Sequence, residues 1–457
     1  MMPISMMPMD TPNDLANAIV ANRQEDAPRL ILADWLEEHH HAERAELIRV
    51  QCQLAAATAR REFGAIPPLE ARERELLRIC DPTIRMHECP LVPGVIWGGM
   101  ARGLLDVCRI TNWRTFDAAF TREMAQFPGE TLSIDTERDR SLDFADLAFW
   151  PPLDAMRELH IEGPLELLQL EALEDSPFLP QLQRLKWKQL QLTAQAVPVW
   201  NRWISKQRLD LSIQQTGLTA HFLGRLLGPL AAESLIALRF SQCRMHTQSL
   251  LMLASLPLME RLIALDLSDL RFTPSELETL LERIQLNNVE QLRLTNLMMS
   301  HEAFQLLTES SPLSLLQSCD LSGNPLSVPR VLTTLGQGRI PNLRRLTLNR
   351  LQVHEPVRLP DFSLIYPRLE VLHVGDCGFT TATIPILTQL EAPELTHLTL
   401  DGVRLNRSGM ERLLAWLGRL PKLRSLSIRH AILTVDAAHA LTPGTAPDWL
   451  NQVQILR

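Results

Sequence analysis

Leu262-Ile-Ala-Leu265-Asp-Leu267-Ser-Asp-Leu270 decides the fold, because its spacing returns throughout the chain. An apolar residue is followed by two variable ones, then apolar, variable, apolar, two variable, and a small apolar, Asn or Cys position. Leu235-Ile-Ala-Leu238-Arg-Phe240-Ser-Gln-Cys243, Leu316-Gln-Ser-Cys319-Asp-Leu321-Ser-Gly-Asn324 and Leu369-Glu-Val-Leu372-His-Val374-Gly-Asp-Cys377 repeat it. Copies start at 102, 129, 156, 182, 208, 235, 262, 289, 316, 343, 369, 395, 423 and 450. The mean interval is about 27 residues, and chance alternation does not hold phase through so many copies.

In each copy the two inner apolar residues lie two apart and share one side of a short strand, while the residue between them faces outward. About 16 residues remain per period, and many carry helical spacing, as in Ser275–Arg283 and Gly409–Leu417. Strand and helix therefore alternate, which predicts parallel strands backed by helices. Helices are wider than the ~4.8 Å strand spacing, so such a stack curves with the strands inside.

These copies resemble the leucine-rich-repeat family, of the longer, ribonuclease-inhibitor-like kind. The resemblance implies an α/β solenoid, a horseshoe with parallel strands on the concave face and helices on the convex face. It covers about three quarters of the chain. Trp187 replaces a strand leucine, Arg208 occupies a first apolar position, and the copies at 102, 129 and 156 are weak.

A small all-α domain is expected ahead of the repeats. Thr11-Pro12-Asn13-Asp14 offers an N-cap, a proline at the first helical position and an acid three residues after the cap. Further helices are expected over Pro28–Glu38, with Leu32, Trp35 and Leu36 as its apolar stripe, over Ala42–Arg60, and over Pro68–Cys80 after the Pro67-Pro68 break. Asp26-Ala27-Pro28-Arg29-Leu30-Ile31-Leu32-Ala33-Asp34-Trp35-Leu36-Glu37-Glu38 and Glu46–Cys52 are similar to the bacterial repeat-companion domain found ahead of such repeats, chiefly in planctomycetes. Arg102-Gly103-Leu104-Leu105-Asp106-Val107 is similar to that family's entry into its repeats. The resemblance implies architecture and a bacterial source, and no reaction. The expected division is a disordered 1–10, a helical domain over 11–90, a transition and first repeat over 91–128, and repeats over 129–457. Trp35 is expected in the core, and Asp34 in an ion pair with Arg29 or Arg49.

With 45 basic and 53 acidic residues the net charge is -8, and residues 1–128 and the remainder carry about half of it each. No basic arm exists for phosphate binding, so nucleic acid is an unexpected partner. No run approaches the ~18–20 apolar residues of a membrane span, and the first ten residues lack a basic region, so neither membrane insertion nor export is expected. The seven cysteines are spread out without a C-x-x-C pair, which predicts reduced thiols in a cytoplasm.

Candidate chemistry is sparse. His39-His40-His41 spread around a helix and cannot converge on one metal. Cys80, His87 and Cys89 lack a fourth ligand at zinc-like spacing. Cys243 and Cys377 fall on the buried turn position. No cofactor is expected, and no enzymatic activity.

Function is therefore expected on the outward strand positions. At the central one, Arg239, Asp266, Arg293 and Asp320 alternate in sign on successive strands and should pair laterally as a structural charge ladder. Glu158, Arg184 and Asp210 should do the same one row earlier, as should Glu162 with Lys188. Arg345, Thr347, His373, His397, Thr399, Asp401, Ser427 and Arg429 combine small residues with polar groups lacking obvious lateral partners, and this patch is the expected protein-binding surface. The expected function is a non-enzymatic interaction scaffold. The alternative is an adaptor whose helical domain recruits a second protein. The last copy, Leu450–Arg457, predicts an open strand edge capable of self-association.

Overall fold

A computed structural model describes residues 13–87, 92–113, 127, 129–139, 142–228, 233–310, 313–336, 340–353, 364–441, 447, 450 and 453–456. The chain divides into two compact units, residues 1–216 with 233–235, and 217–232 with 236–457.

The first unit opens with four helices, α1 (Asn13–Ala21), α2 (Ala27–Glu38), α3 (Ala42–Arg60) and α4 (Ile66–His87). The expected cap at Thr11 lies outside the described residues. The observed α2 and α3 match the apolar spacing closely. α4 differs at its start, because Pro67 and Pro68 sit in its first turn, where a missing N–H costs nothing. Ile19, Leu32, Ala33, Leu36, Ala45, Ile48 and Cys52 close a common core, with Trp35 packed against it. Full burial of each large apolar side chain here stabilises by about 1.5–3 kcal/mol.

Leu104 belongs to the same core, so the helices are packed directly on the first strand pair. β1 (Val95–Ala101) and β2 (Leu104–Ile110) form an antiparallel hairpin through Arg102 and Gly103, both with positive φ. A Cβ at Gly103 would stand 2.6 Å from the Ile48 Cα, so only glycine lets the turn rest on α3. The Gly103 N–H donates to Gln51 Oε1 at 2.6 Å, and Arg102 Nη1 donates to the Gln24 carbonyl at 2.8 Å.

From β2 onward the strands are parallel: β3 (Thr131–Asp135), β4 (Glu158–Glu162), β5 (Arg184–Lys188) and β6 (Leu209–Gln214). Trp187, at a leucine position of β5, is fully buried. Its Nε1 donates to the Gly163 carbonyl at 2.8 Å, and its ring packs on Trp200, which in turn meets Trp203. The larger side chain is thus matched by tryptophans on the helix that follows, Ala196–Ser205.

The second unit continues the pattern with short parallel strands centred on Leu238, Leu265, Leu292, Cys319, Leu346, Leu372, Leu398, Leu426 and Ile455. Helices such as Thr247–Ser255, Pro274–Arg283 and His301–Ser310 pack on their neighbours in the next repeat. Both units are built of leucine-rich repeats, and the fold class is an α/β solenoid of such repeats preceded by helices. Among the described residues no helix is long and apolar enough to cross a membrane.

One backbone feature recurs in the turns after β5, β6 and the strands centred on Leu238 through Leu426. Gln189, Gln215, Gln242, Asp269, Asn296, Gly323, Arg350, Asp376, Gly402 and His430 all have positive φ and occupy the same repeat position. The next position is filled from within: Asn324 is buried, and its Oδ1 accepts from the Leu297 and Met299 N–H groups at 3.0 and 3.1 Å. Its Nδ2 donates to the Leu294 and Leu321 carbonyls at 2.7 Å each. Cys377 Sγ in the same place donates to the Leu348 carbonyl at 3.0 Å, and Cys243 is likewise buried. Burial pushes the Cys52 and Cys377 thiols up to about 12, leaving them protonated and unreactive.

Two registers differ from expectation. Arg109 and not Asp106 stands opposite Ser133, a shift of three positions in the first copy. At the other end Leu456 and not Gln454 stands opposite Ser427, a shift of two. In the helical domain Asp34 pairs with Arg49 at 2.7 Å, while Arg29 is buried and donates to the Glu25 carbonyl.

Candidate functional site

Strand alternation puts the leucines inside and sends the residues between them to one polar face. In the first unit that face is a closed network. Arg109 lies 3.2 Å from both Asp135 and Glu162, and Glu162 also pairs with Lys188. Glu158 pairs with Arg184 and meets His160 Nε2 at 2.6 Å. Burial opposes ionisation of Glu158, but hydrogen bonds from His160 and Arg184 outweigh it and hold the carboxyl down to about 2.

The ladder of the second unit is looser. Register sets Arg239 beside Asp266, Asp266 beside Arg293 and Arg293 beside Asp320. Arg293 lies 3.4 Å from Asp266 and 3.8 Å from Asp320. Its side chain is more than half exposed, so each contact contributes about 0–1 kcal/mol.

Further along, the structure brings most of the expected patch together in a different form. His373 Nδ1 and Thr399 Oγ1 are 2.7 Å apart. Asp401 Oδ1 accepts from Ser427 Oγ at 2.6 Å and from the Arg429 N–H at 2.8 Å. The expectation that His373 and Asp401 lack lateral partners is therefore overturned: hydroxyl groups one strand away supply them. Thr347, His397 and Ser427 are buried and do not present an open surface. A short side chain on an inner strand is covered from both sides by neighbours about 4.8 Å away.

The His373 and His397 rings meet edge to face, 5.4 Å between centroids. Burial, with Arg345 and His397 adding to it, pulls His373 down to about 3. Burial and Arg345 pull His397 down to about 4, against the opposing effect of Asp401. Both rings are neutral near pH 7. The Thr399–His373 pair has the spacing of a nucleophile and its base, but so weak a base cannot take a hydroxyl proton, and the arrangement favours binding over proton transfer.

A hollow of about 470 Å³ opens on the same unit, lined by Arg293, Thr295, Asp320, Ser322, Thr347, Asn349, Arg350, Gly375, Asp376, Thr399 and Asp401. It joins part of the ladder to part of the expected patch. Arg345, His373, His397, Ser427 and Arg429 are not among its lining residues. Sequence reasoning missed Asn349, Arg350 and Asp376 as site residues. Asn349 Oδ1 accepts from the Gly375 N–H at 2.8 Å. Arg350 and Asp376 occupy the recurrent positive-φ turn position, and that period was the available signal.

Of the other candidates, Cys80 is buried, whereas the side chain of His87 and all of Cys89 lie outside the described residues. Among the described residues no His, Cys, Asp and Glu cluster is arranged to hold a metal.

No family model matches the chain, and no curated protein matches it. Among solved structures it is similar to an internalin, InlF, of Listeria monocytogenes, at 15% identity and a TM-score of 0.39 over 67% of this chain and 88% of that one. It is also similar to a chain of the yeast Rad7 and Elc1 complex, at 13% identity and a TM-score of 0.45 over 98% of both chains. A chain of the mouse RP105/MD-1 complex matches at 15% identity and a TM-score of 0.36, over 71% of this chain and 58% of that one. The parallel strand register and the recurrent turn define the fold.

Proposed function

We propose that this protein is a non-enzymatic interaction scaffold that docks a protein partner on the polar strand face of its second unit. The observation that carries the reading is the hollow bounded by Arg293, Asp320, Asn349, Arg350, Asp376 and Asp401, whose side chains stand on the strands and on the turns that follow them. Polar groups carried by a rigid repeat backbone lose little entropy on binding, which is what a docking face needs. Residues 11–90 are assigned to a bacterial-type repeat-companion domain, and the buried free thiols fit a cytoplasmic setting.

The test is affinity capture from the native host with the wild type and Arg350→Glu, followed by cross-linking. The expected outcome is a protein captured by the wild type, cross-linked beside Asn349 and Asp376, and released by the substitution. Equal capture by both proteins removes the docking assignment. Among the described residues the strand Gln454–Leu456 is the last of its sheet, and we propose that its outer side pairs with a second copy. Sedimentation showing only monomer at high concentration disposes of that part.

A further inference from the structure

Gly323 and Gly402 stand in the recurrent turn, at φ 71° and 72°. Gln242, Asp269, Asn296, Arg350, Asp376 and His430 hold the same positive φ with full side chains, so the backbone alone does not require glycine there. What the two glycines leave is room. The place of a Cβ at Gly323 is taken by Asn296 Oδ1 and approached by Arg350 Nη2, at 3.6 Å, and a Cβ at Gly402 would stand 2.7 Å from Asp376 Oδ1.

Arg350 and Asp376 lie on adjacent repeats, because the Arg350 N–H donates to the Gly375 carbonyl at 2.9 Å. Yet their side chains lean apart, Arg350 back over Gly323 and Asp376 forward over Gly402. Both residues are exposed, and among the described residues neither side chain makes an ion pair or a hydrogen bond. The other acids of the hollow are met unequally. Asp320 has Arg293 at 3.8 Å and the Ser322 N–H and hydroxyl on its Oδ1. Among the described residues Asp401 is met by neutral donors alone, the Ser427 hydroxyl and the Arg429 N–H, which leave its charge in place. The rim thus keeps an unmatched cation at one end and two unmatched anions at the other.

We infer that Arg350 at one end, and Asp376 with Asp401 at the other, hold an extended peptide segment of the docked protein in which an acidic residue stands four positions from a basic one. This inference rests on the docking role proposed above and names what the docked segment carries. Gly323 and Gly402 are three repeats apart, which is about 14 Å at ~4.8 Å per strand, and four extended residues span about 13 Å. The guanidinium of Arg350 takes the acid and the two aspartates take the base. Asn349, which lines the hollow between them, can donate its Nδ2 to a peptide carbonyl. An all-acidic segment or a phosphate chain is repelled by Asp376 and Asp401, and an all-basic one by Arg350.

The full chain, isotopically labelled at its glycine nitrogens, is titrated with the capped peptides Glu-Thr-Ser-Thr-Lys and Lys-Thr-Ser-Thr-Glu, whose threonines favour the extended form. Glu-Thr-Ser-Thr-Glu and Lys-Thr-Ser-Thr-Lys are run in parallel. Saturable binding of a mixed-charge peptide is expected, with the Gly323 and Gly402 amide resonances moving on one isotherm, Gly163 stationary, and no binding of the other two. Arg350→Gln and Asp376→Asn are each expected to weaken it about fivefold, the size of one exposed charge contact, while Arg407→Gln, on a helix outside the hollow, leaves it unchanged. Arg350→Glu is expected to exchange the preference, losing the mixed peptide and taking up Lys-Thr-Ser-Thr-Lys. The inference is overturned by absent saturation, by stationary Gly323 and Gly402, by equal loss in Arg407→Gln, or by an unchanged preference in Arg350→Glu. If Arg350→Glu releases the native partner while Asp376→Lys keeps it, the two-ended contact falls and the docking role stands. If the peptides behave as expected but Arg350→Glu keeps the native partner, the contact stands and the docking role falls.

Discussion

On the strand face from β2 to β5 an arginine, a lysine and two acids share one another, so that Arg109 touches Asp135 and Glu162 while Glu162 also holds Lys188. On the strands from Arg345 to Ser427 the same rows are filled by imidazole, hydroxyl and glycine, and charge is met by short neutral groups. Both faces come from one repeat geometry. They differ in whether opposite charges on adjacent strands, about 4.8 Å apart, pair through their side chains, since Asp401 beside Arg429 is met by a hydroxyl and a backbone N–H. Where they do, the face is closed by its own side chains. Where they do not, His373 and His397 are held neutral.

The largest expected effect lies beneath the second face, in the turn that presents it. Asn324→Leu strands the Leu297 and Met299 N–H groups and the Leu294 and Leu321 carbonyls inside the core. We expect a loss of about 3–5 kcal/mol, localised by hydrogen exchange to the repeats around Leu297. A loss under about 1 kcal/mol means that these groups find other partners, and the second face does not depend on its turn.

The two faces should also part company with pH. His373, held at about 3, and His397, held at about 4, lie below the ordinary histidine value. A histidine depressed in the folded state takes up its proton more readily when unfolded. Its stabilising effect is complete above about 6.5 and is lost as pH falls toward the folded values. Glu158 behaves later: its carboxyl, held at about 2, contributes fully above the ordinary carboxylate value and loses its effect only below it. Hydrogen exchange at pH 7, 5.5 and 4.5 should therefore show protection falling first around Leu372 and Leu398, by about 2–3 kcal/mol, while β4 and β5 hold. His373→Asn with His397→Asn should flatten that dependence, and simultaneous loss in both units contradicts the contrast.

How much of this was legible in the sequence follows the same physics. The leucine period set the register of the inner repeats, and the Pro28 and Ala42 signals placed α2 and α3, because apolar burial and helix starts are local properties of the chain. The first copy slipped because Cys108 and Arg109, in a strand paired to a hairpin, carry no leucine signature. The last slipped because Leu450 and Val453 mimic the pattern ahead of Ile455. At the site, the rows were right but the partners were not. Matching charge only with charge counted Thr399 and Ser427 as empty space, although a hydroxyl is both donor and acceptor. The buried His397 Nδ1 and Ser425 Oγ, which find no hydrogen-bond partner among the described residues, had no sequence signature, since they depend on what covers them.

The smallest effects sharpen the comparison most directly. Asp135 is nearly buried, with Arg109 and the Arg138 N–H on its carboxylate. Asp135→Ala leaves those donors without their acceptor in a partly desolvated place, and about 2 kcal/mol should be lost. Arg293→Ala removes a side chain that is more than half exposed and sits at 3.4 and 3.8 Å from its two acids. Water replaces it at little cost, so no more than about 1 kcal/mol should be lost, and less at high salt. Urea titrations of both variants, with and without added salt, measure the pair. Should Arg293→Ala prove as costly as Asp135→Ala, the second ladder is no looser than the first network, and the openness of its face needs a cause other than unmatched charge.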